Sequence, residues 1–442
     1  SELGGEGSDE NDLYEAMDWV LTRQNAVEAK LAKRHLHNGC LVLYDVTSTY
    51  FEGTHCPLAR RGHDRDGKKG KLQVVFGLLT DQGGCPVSVE VFEGNTSDPK
   101  TLRRQVEKAR DRFALERVTF VGDRGMITSA RIREDLKGLK GVSWISALRA
   151  PQIQKLREQG TIQLEVFDER DLAEVEHPDY PGERLVVCRN PALTEDRRRK
   201  REELMQATER LLEKIKKSVK SGRLKDRAKI GLRAGKVIGR YKVGKLFKLR
   251  IGEGSFSFKR CPERIEKDAE LDGFCVIRPS VPKSKLKATA AVAAYKDLSK
   301  VERAFRSIKT MDLHVRPVYH WTPNRVRAHI FICMLAYYVE WHMREALAPV
   351  LFMDEELDER PRSSPVAPAE RSESAKWKDE TKRTLDCRPA HSFQTLIRDL
   401  GTITRNTVRA SLDEENSTFE LVTEPSRDQR YVFKLLGVPL KT

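Results

Sequence analysis

Two almost wholly apolar stretches of this chain end on a carboxylate, and that pairing limits the possible folds more than any other feature. Residues 40–47 (Cys-Leu-Val-Leu-Tyr-Asp-Val-Thr) read as a buried strand with Asp45 near its end, and residues 118–121 (Val-Thr-Phe-Val) as another that runs into Gly122-Asp123. A strand covered on both faces reads as a continuous apolar run, and it does not tolerate unpaired charge. Each aspartate therefore has two readings. It can open an ordinary turn, the commoner fate of Asp after a strand. Alternatively, both can project together from the sheet edge, where hard oxygen ligands hold Mg²⁺. Taken singly, each favours the turn.

The surrounding pattern supplies the frame. Residues 11–36 have helical periodicity and close at Asn38-Gly39. Strand-like runs at 72–80 and 86–92 flank a turn at 81–84, and Gly94-Asn95-Thr96-Ser97-Asp98 is loop chemistry leading into a helix at 100–113. A helix at 129–139 and a strand at 142–148 follow the second aspartate. The order is three strands, helix, strand, helix, strand: an antiparallel meander, then strands alternating with helices. This is the ordering of an RNase H-like fold, although strand order alone does not separate it from other α/β domains.

Around Pro151 the pattern breaks. Strands are expected at 161–166, 184–187, 245–251, 255–258 and 273–277, with a basic helix at 195–220 and an irregular glycine-containing stretch at 223–245. The expected organisation is an N-terminal helical segment (1–38), a first core part (39–149), a β-rich basic insertion (150–285), and a second core part with helices at 289–312 and 324–347 (286–350). A flexible linker (351–384) and a C-terminal helical segment (385–442) with a helix at 391–408 complete it. The fold class is α/β: an RNase H-like mixed sheet interrupted by a mainly β insertion, with flanking helices.

Charge is unevenly spread. The 442-residue chain carries a formal net charge of +15, and residues 194–260 hold 23 Lys and Arg against 8 Asp and Glu, which accounts for the whole excess. One-sided charge of this kind suits a polyanionic partner, and Arg223, Lys225, Arg227 and Lys229 lie where acids are scarcest. The 8 cysteines contain no C-x-x-C pair, which argues against a zinc ribbon and offers no disulfide framework. His63, His314, His320 and His329 show no metal spacing. No apolar run reaches the ~20 residues of a membrane span, and no Gly-rich phosphate loop of the nucleotide-hydrolase type occurs. The first ten residues, Gly-, Ser- and acid-rich without a Met, read as a trimmed or processed end.

The third carboxylate decides between the readings of the aspartates. Tyr295-Lys-Asp-Leu-Ser-Lys-Val-Glu302-Arg-Ala-Phe-Arg306-Ser-Ile-Lys309 resembles the Tyr-x2-Arg-x3-Glu-x6-Lys motif of bacterial insertion-sequence transposases with Asp-Asp-Glu chemistry, except that Leu298 stands at the arginine position. Tyr44-Asp45-Val46-Thr47, Gly122-Asp123-Arg124-Gly125-Met126, Gly94-Asn95-x-x-Asp98 and the run from Arg316 to His320 are similar to further family motifs, and the family's insertion between second aspartate and glutamate is matched too.

The resemblance implies a cut-and-paste DNA transposase. Asp45, Asp123 and Glu302 would hold two Mg²⁺ per site, Mn²⁺ being able to substitute, because phosphodiester cleavage needs one oxygen activated and another stabilised, a task for ions about 3.5–4 Å apart. Its implied partners are double-stranded DNA, at terminal inverted repeats and target, and a second copy of the chain, since two ends must be joined in one complex. No nucleotide cofactor and no membrane are implied, and the location is the bacterial cytoplasm and nucleoid. Tyr295, Arg306 and Lys309 are expected to grip phosphates, with Arg124 beside the second aspartate. Arg325 and Arg327 divide evenly between phosphate contact and structural ion pairing. Phe274 is a candidate for stacking on a flipped base, a core role being the commoner fate of a strand aromatic. Two rivals share the sequence: a nuclease without strand transfer, and a non-catalytic DNA-binding derivative.

Overall fold

The computed structural model describes residues 7–162, 171–355, 371–409 and 418–439. The chain divides into two compact units: Ser1–Ser146, Ala293–Arg362 and Pro368–Thr442 make one, and Ala147–Val292 with Ser363–Ala367 the other.

In the first unit, β1 (Cys40–Phe51), β2 (Leu72–Thr80), β3 (Pro86–Glu93), β4 (Val118–Val121) and β5 (Val142–Ala147) are ordered β3-β2-β1-β4-β5. β1, β2 and β3 pair antiparallel, whereas β4 lies parallel to β1 and β5 parallel to β4. That is the RNase H-like arrangement. The apolar runs form its interior: Val42, Leu43, Phe76, Leu78, Leu79, Phe120 and Val121 are fully buried. The helix Pro323–Leu347 packs on β3 and on the N-terminal helix Glu10–Thr22, burying Val326, Ile330, Phe331, Met334 and Tyr337. The N-terminal helical run is two helices, Glu10–Thr22 and Gln24–His35, broken at Arg23.

The second unit is more helical than its apolar runs predict. Beside β6 (Leu172–Val175), β7 (Leu185–Arg189), β8 (Phe247–Gly252), β9 (Ser255–Arg260) and β10 (Phe274–Pro279) it holds the 30-residue helix Pro191–Lys220 and the 14-residue helix Arg227–Arg240. The insertion is therefore mixed, not mainly β. The second helix occupies the stretch expected to be irregular. Its Ile230 and Ala234 pack into a cluster with Leu212, Ile215, Leu246 and Phe256, and this burial outweighs the ~1 kcal/mol that each interior glycine costs a helix. Most of the strand expected at 161–166 lies outside the described residues.

Two further expectations are corrected in the first unit. Of the linker placed at 351–384, residues 356–370 lie outside the described residues, but Glu373–Thr381 is a helix capped by Ser372. Its Lys378 is buried because the ammonium donates to the carbonyls of Ala348 (3.1 Å) and Met353 (3.4 Å) and pairs with Glu355. The C-terminal segment is not wholly helical either: after the helix Phe393–Leu400, β11 (Arg405–Arg409) pairs with β12 (Thr418–Val422) before the helix Arg427–Leu436.

Candidate active site

The strand register brings the two aspartates together. Leu43 of β1 is paired with Val121 of β4. Asp45 and Asp123 each lie two residues beyond that pair, just past the end of the parallel pairing, Asp45 midway along β1 and Asp123 beyond the end of β4. Asp123 also opens a tight turn, its Oδ1 accepting the N–H groups of Gly125 (2.9 Å) and Met126 (2.7 Å). The turn reading holds for Asp123, whose carboxylate also lines the cleft described next. Glu302 comes from the helix Leu298–Arg306, which buries Val301, Ala304 and Phe305; the Phe305 ring meets Phe76 of β2 edge-on at 5.5 Å. Glu302 itself is exposed and, among the described residues, pairs with no cation. All three carboxylates line a single cleft of about 410 Å³.

That cleft also contains Arg65 and Asp66, which no motif singled out, and Asp98 and Arg316, which belong to family-like motifs but were assigned no role. Arg65 and Asp66 belong to a charged loop that reads as solvated surface. Two close backbone approaches hold it down. A Cβ on Gly62 would lie 2.0 Å from the Gly94 carbonyl, and one on Gly94 would lie 1.9 Å from the Gln73 carbonyl. The loop is pinned to β1 as well, with Tyr50 N–H donating to Asp66 at 3.0 Å. Asp98, at the start of the helix Asp98–Glu107, accepts both its hydrogen bonds from the Arg65 guanidinium. The Asp66 side chain is 2% exposed and pairs with Lys309 at 2.6 Å and with Arg316.

Lys309 therefore does not reach into solvent as its motif position suggests. It sits in the wider π-turn Ser307–Met311 that follows the glutamate helix, buried, donating to Thr47 Oγ1 of β1 at 3.0 Å as well as to Asp66. Burial holds its ammonium below the usual lysine range, against the pull of Asp66. Arg306, one turn beyond Glu302, is exposed at the cleft and unpaired among the described residues.

Asp45 is buried beside like charges. Burial first, then the charges of Asp123 and Asp98, push its carboxyl up to about 7, while the Val46 N–H and Arg65 pull it back. Asp45 remains protonated in the fold through a range where the unfolded chain has released the proton. Stability is therefore lost as pH rises from about 4 to about 7 and is level above. An Asp45→Asn chain in EDTA should match wild type near pH 4 and gain on it through pH 7, by about 4 kcal/mol at the plateau. Added Mg²⁺ should narrow the gap by stabilising wild type only. A stability difference that shrinks with rising pH would contradict this account. Chemically, the donor set is hard oxygen with uncompensated negative charge, which fits a divalent cation of the Mg²⁺ type.

The other expected contacts are dispersed. Arg124 is exposed beside Asp123, and Tyr295 is half-buried and off the cleft lining. Arg325 stacks on Tyr14 at 4.0 Å and lies 3.9 Å from Asp18; together with Arg327 it lines a separate cleft of about 850 Å³. In the second unit Phe274 is half-buried against a cluster containing Leu156, Leu185 and Val276, with Arg157 over its ring. Arg223, Lys225, Arg227 and Lys229 are all exposed.

Residues 37–339 match the family model described as the transposase DDE domain. The chain belongs to that family. The matched span takes in all three carboxylates and the whole cleft of this DDE-family protein, together with its inserted unit. No curated protein sequence matches the chain. Among solved structures, a piggyBac transposase synaptic complex with hairpin DNA aligns with 79% of this chain and 63% of its own, at 10% identity and a TM-score of 0.33. The Mos1 transposase paired-end complex with left transposon end aligns with 32% of this chain and 45% of its own, at 16% identity and a TM-score of 0.18. A Mos1 mariner paired-end complex with Mn aligns with 28% of this chain and 41% of its own, at 17% identity and a TM-score of 0.15. This chain thus spans less than two thirds of each of these structures' chains, and its family membership rests on the sequence match.

Proposed function

We propose that this DDE-family protein cuts DNA at the ends of its element and joins the freed 3′-OH ends to target DNA, with Asp45, Asp123 and Glu302 holding two Mg²⁺ ions. The observation that carries this reading is the convergence of three carboxylates from separate elements on one cleft, Glu302 exposed without a cation and Asp45 buried beside the charges of Asp123 and Asp98. When bound, the ions supply Lewis-acid stabilisation of the attacking and leaving oxygens. The protein's own groups do the rest. Asp45 and Asp123 are fixed by strand register and turn, Glu302 by its buried helix face, and Arg306 grips a backbone phosphate beside the scissile bond. Lys309 acts from below as a positioning group, linking the glutamate helix to β1. Two ends must be held together for joining, so the working species is a dimer on DNA. No helix among the described residues is long and apolar enough to cross a membrane.

The test is cleavage of labelled DNA carrying the element's ends, with and without Mg²⁺. Metal-dependent nicking at those ends is expected; binding without nicking would favour a non-catalytic derivative. The inserted unit offers a second readout. Arg223, Lys225, Arg227 and Lys229 form no ion pair among the described residues, whereas Arg201 and Arg260 of the same segment are tied to Asp272 and to Glu202 and Glu209. Changing the first four to Gln should flatten the slope of log affinity against log salt by up to roughly 3–4. An unchanged slope would remove this surface from the DNA path.

A further inference from the structure

A second group of ligating side chains lies in the first unit, away from the carboxylate cleft. His35 ends the helix Gln24–His35, Cys85 closes the turn between β2 and β3, and His342 sits on the helix Pro323–Leu347. One ligand atom from each lies within 4.8 Å of the other two. Cys85 Sγ is 3.9 Å from His35 Nε2. Zinc–sulfur and zinc–nitrogen bonds of ~2.3 and ~2.1 Å at the tetrahedral angle put S and N about 3.6 Å apart, so little closure is needed.

One atom points to a ligand. The Nε2 atom of His342 is buried and has no hydrogen-bond partner, a costly state for a polar nitrogen unless something satisfies it. Asp81 Oδ2 stands 3.8 Å from His35 Nδ1, the far side of the ring from the cluster and beyond hydrogen-bond distance. The Tyr338 hydroxyl lies 3.0 Å from His35 Nε2 and would give up that contact when the nitrogen binds an ion, and a cleft of about 290 Å³ borders His35 and Asp81.

We propose that His35, Cys85 and His342 bind one zinc-like divalent ion, which ties the helix Gln24–His35 and the β2–β3 turn to the long helix. Binding forms the metal–sulfur bond as the Cys85 proton leaves to water, with no change of oxidation state. Thiolate and imidazole are softer donors than the carboxylates of the cleft, so Mg²⁺ does not compete here. The ion is structural and separate from the strand-cutting site, and the proposal does not depend on the function assigned to that site.

The test is titration of the chelator-stripped full chain with Co²⁺ in excess Mg²⁺. Wild type should bind one equivalent with thiolate-to-cobalt charge transfer and the intense visible bands of a tetrahedral ion, and one equivalent of Zn²⁺ should displace it. Glu302→Gln should give the same spectrum. Cys85→Ser should lose the charge-transfer band, and His342→Gln should lose the tetrahedral bands; Zn²⁺ should raise the melting temperature of wild type but of neither variant. Folded wild type without a thiolate band would overturn the proposal whatever the variants do. So would a band that survives in Cys85→Ser, since it would come from another of the cysteines.

Discussion

Glu302→Gln should leave the melting temperature within error of wild type and slow DNA cleavage by roughly 10³-fold or more. The two halves of this result come from different properties of one residue. Glu302 is exposed and unpaired, on a helix anchored by Val301, Ala304 and Phe305, and an isosteric change at such a position moves stability by no more than about 0.5 kcal/mol. Its charge is another matter. Losing a metal ligand forfeits several kcal/mol of transition-state stabilisation, and each 1.36 kcal/mol is about tenfold in rate. Single-turnover nicking and a thermal melt on the same preparation measure both. Cutting close to the wild-type rate would move the third carboxylate elsewhere, with Asp98 the next to try, because it already lines the cleft.

Asp66→Ala should destabilise the DNA-free protein by about 3–5 kcal/mol, the cost of leaving a buried charge cluster unbalanced. With the carboxylate gone, Lys309 and Arg316 keep their positive charges near one another with no anion between them, and the Tyr50 N–H loses its acceptor. The same network distinguishes two roles for Lys309. A lysine that grips phosphate would, once changed to Met, weaken DNA binding and leave the free protein's melting temperature alone. A lysine that positions Glu302 against β1 would, when changed to Met, lower the melting temperature without DNA and reduce the cleavage rate more than the affinity. The second pattern is expected, because Lys309 is buried and held by both Asp66 and Thr47, the latter two residues from Asp45.

What could be read from the sequence follows from how local each signal is. Strands β1 to β5 announce themselves as apolar runs, and Asp45 and Asp123 stand out because charge at the end of such a run needs a reason. Glu302 was legible through spacing and resemblance. The loop carrying Arg65 and Asp66 was not, because its charges look solvated until the Gly62–Gly94 contact presses it against the sheet. Seven residues of regular helix would set Lys309 two turns beyond Glu302 on one face, but the turn after Arg306 is a π-turn and the Lys309 side chain is buried. His35, Cys85 and His342 escaped for the same kind of reason: they are far apart in sequence, and only the packing of three elements makes them neighbours. In the inserted unit, glycines at 231, 235 and 239 argued against a helix that tertiary burial of Ile230 and Ala234 nevertheless holds.

On the proposed function, one carboxylate cleft both cuts and joins. The decisive experiment supplies the protein with pre-cut, labelled element ends bearing free 3′-OH groups, an unlabelled circular target and Mg²⁺, and sequences any junctions formed. Covalent joints between those 3′ ends and target DNA are expected with wild type and not with Glu302→Gln. Hydrolysis of the DNA with no joined product, under conditions where both ends are bound, would contradict it and leave a nuclease in its place.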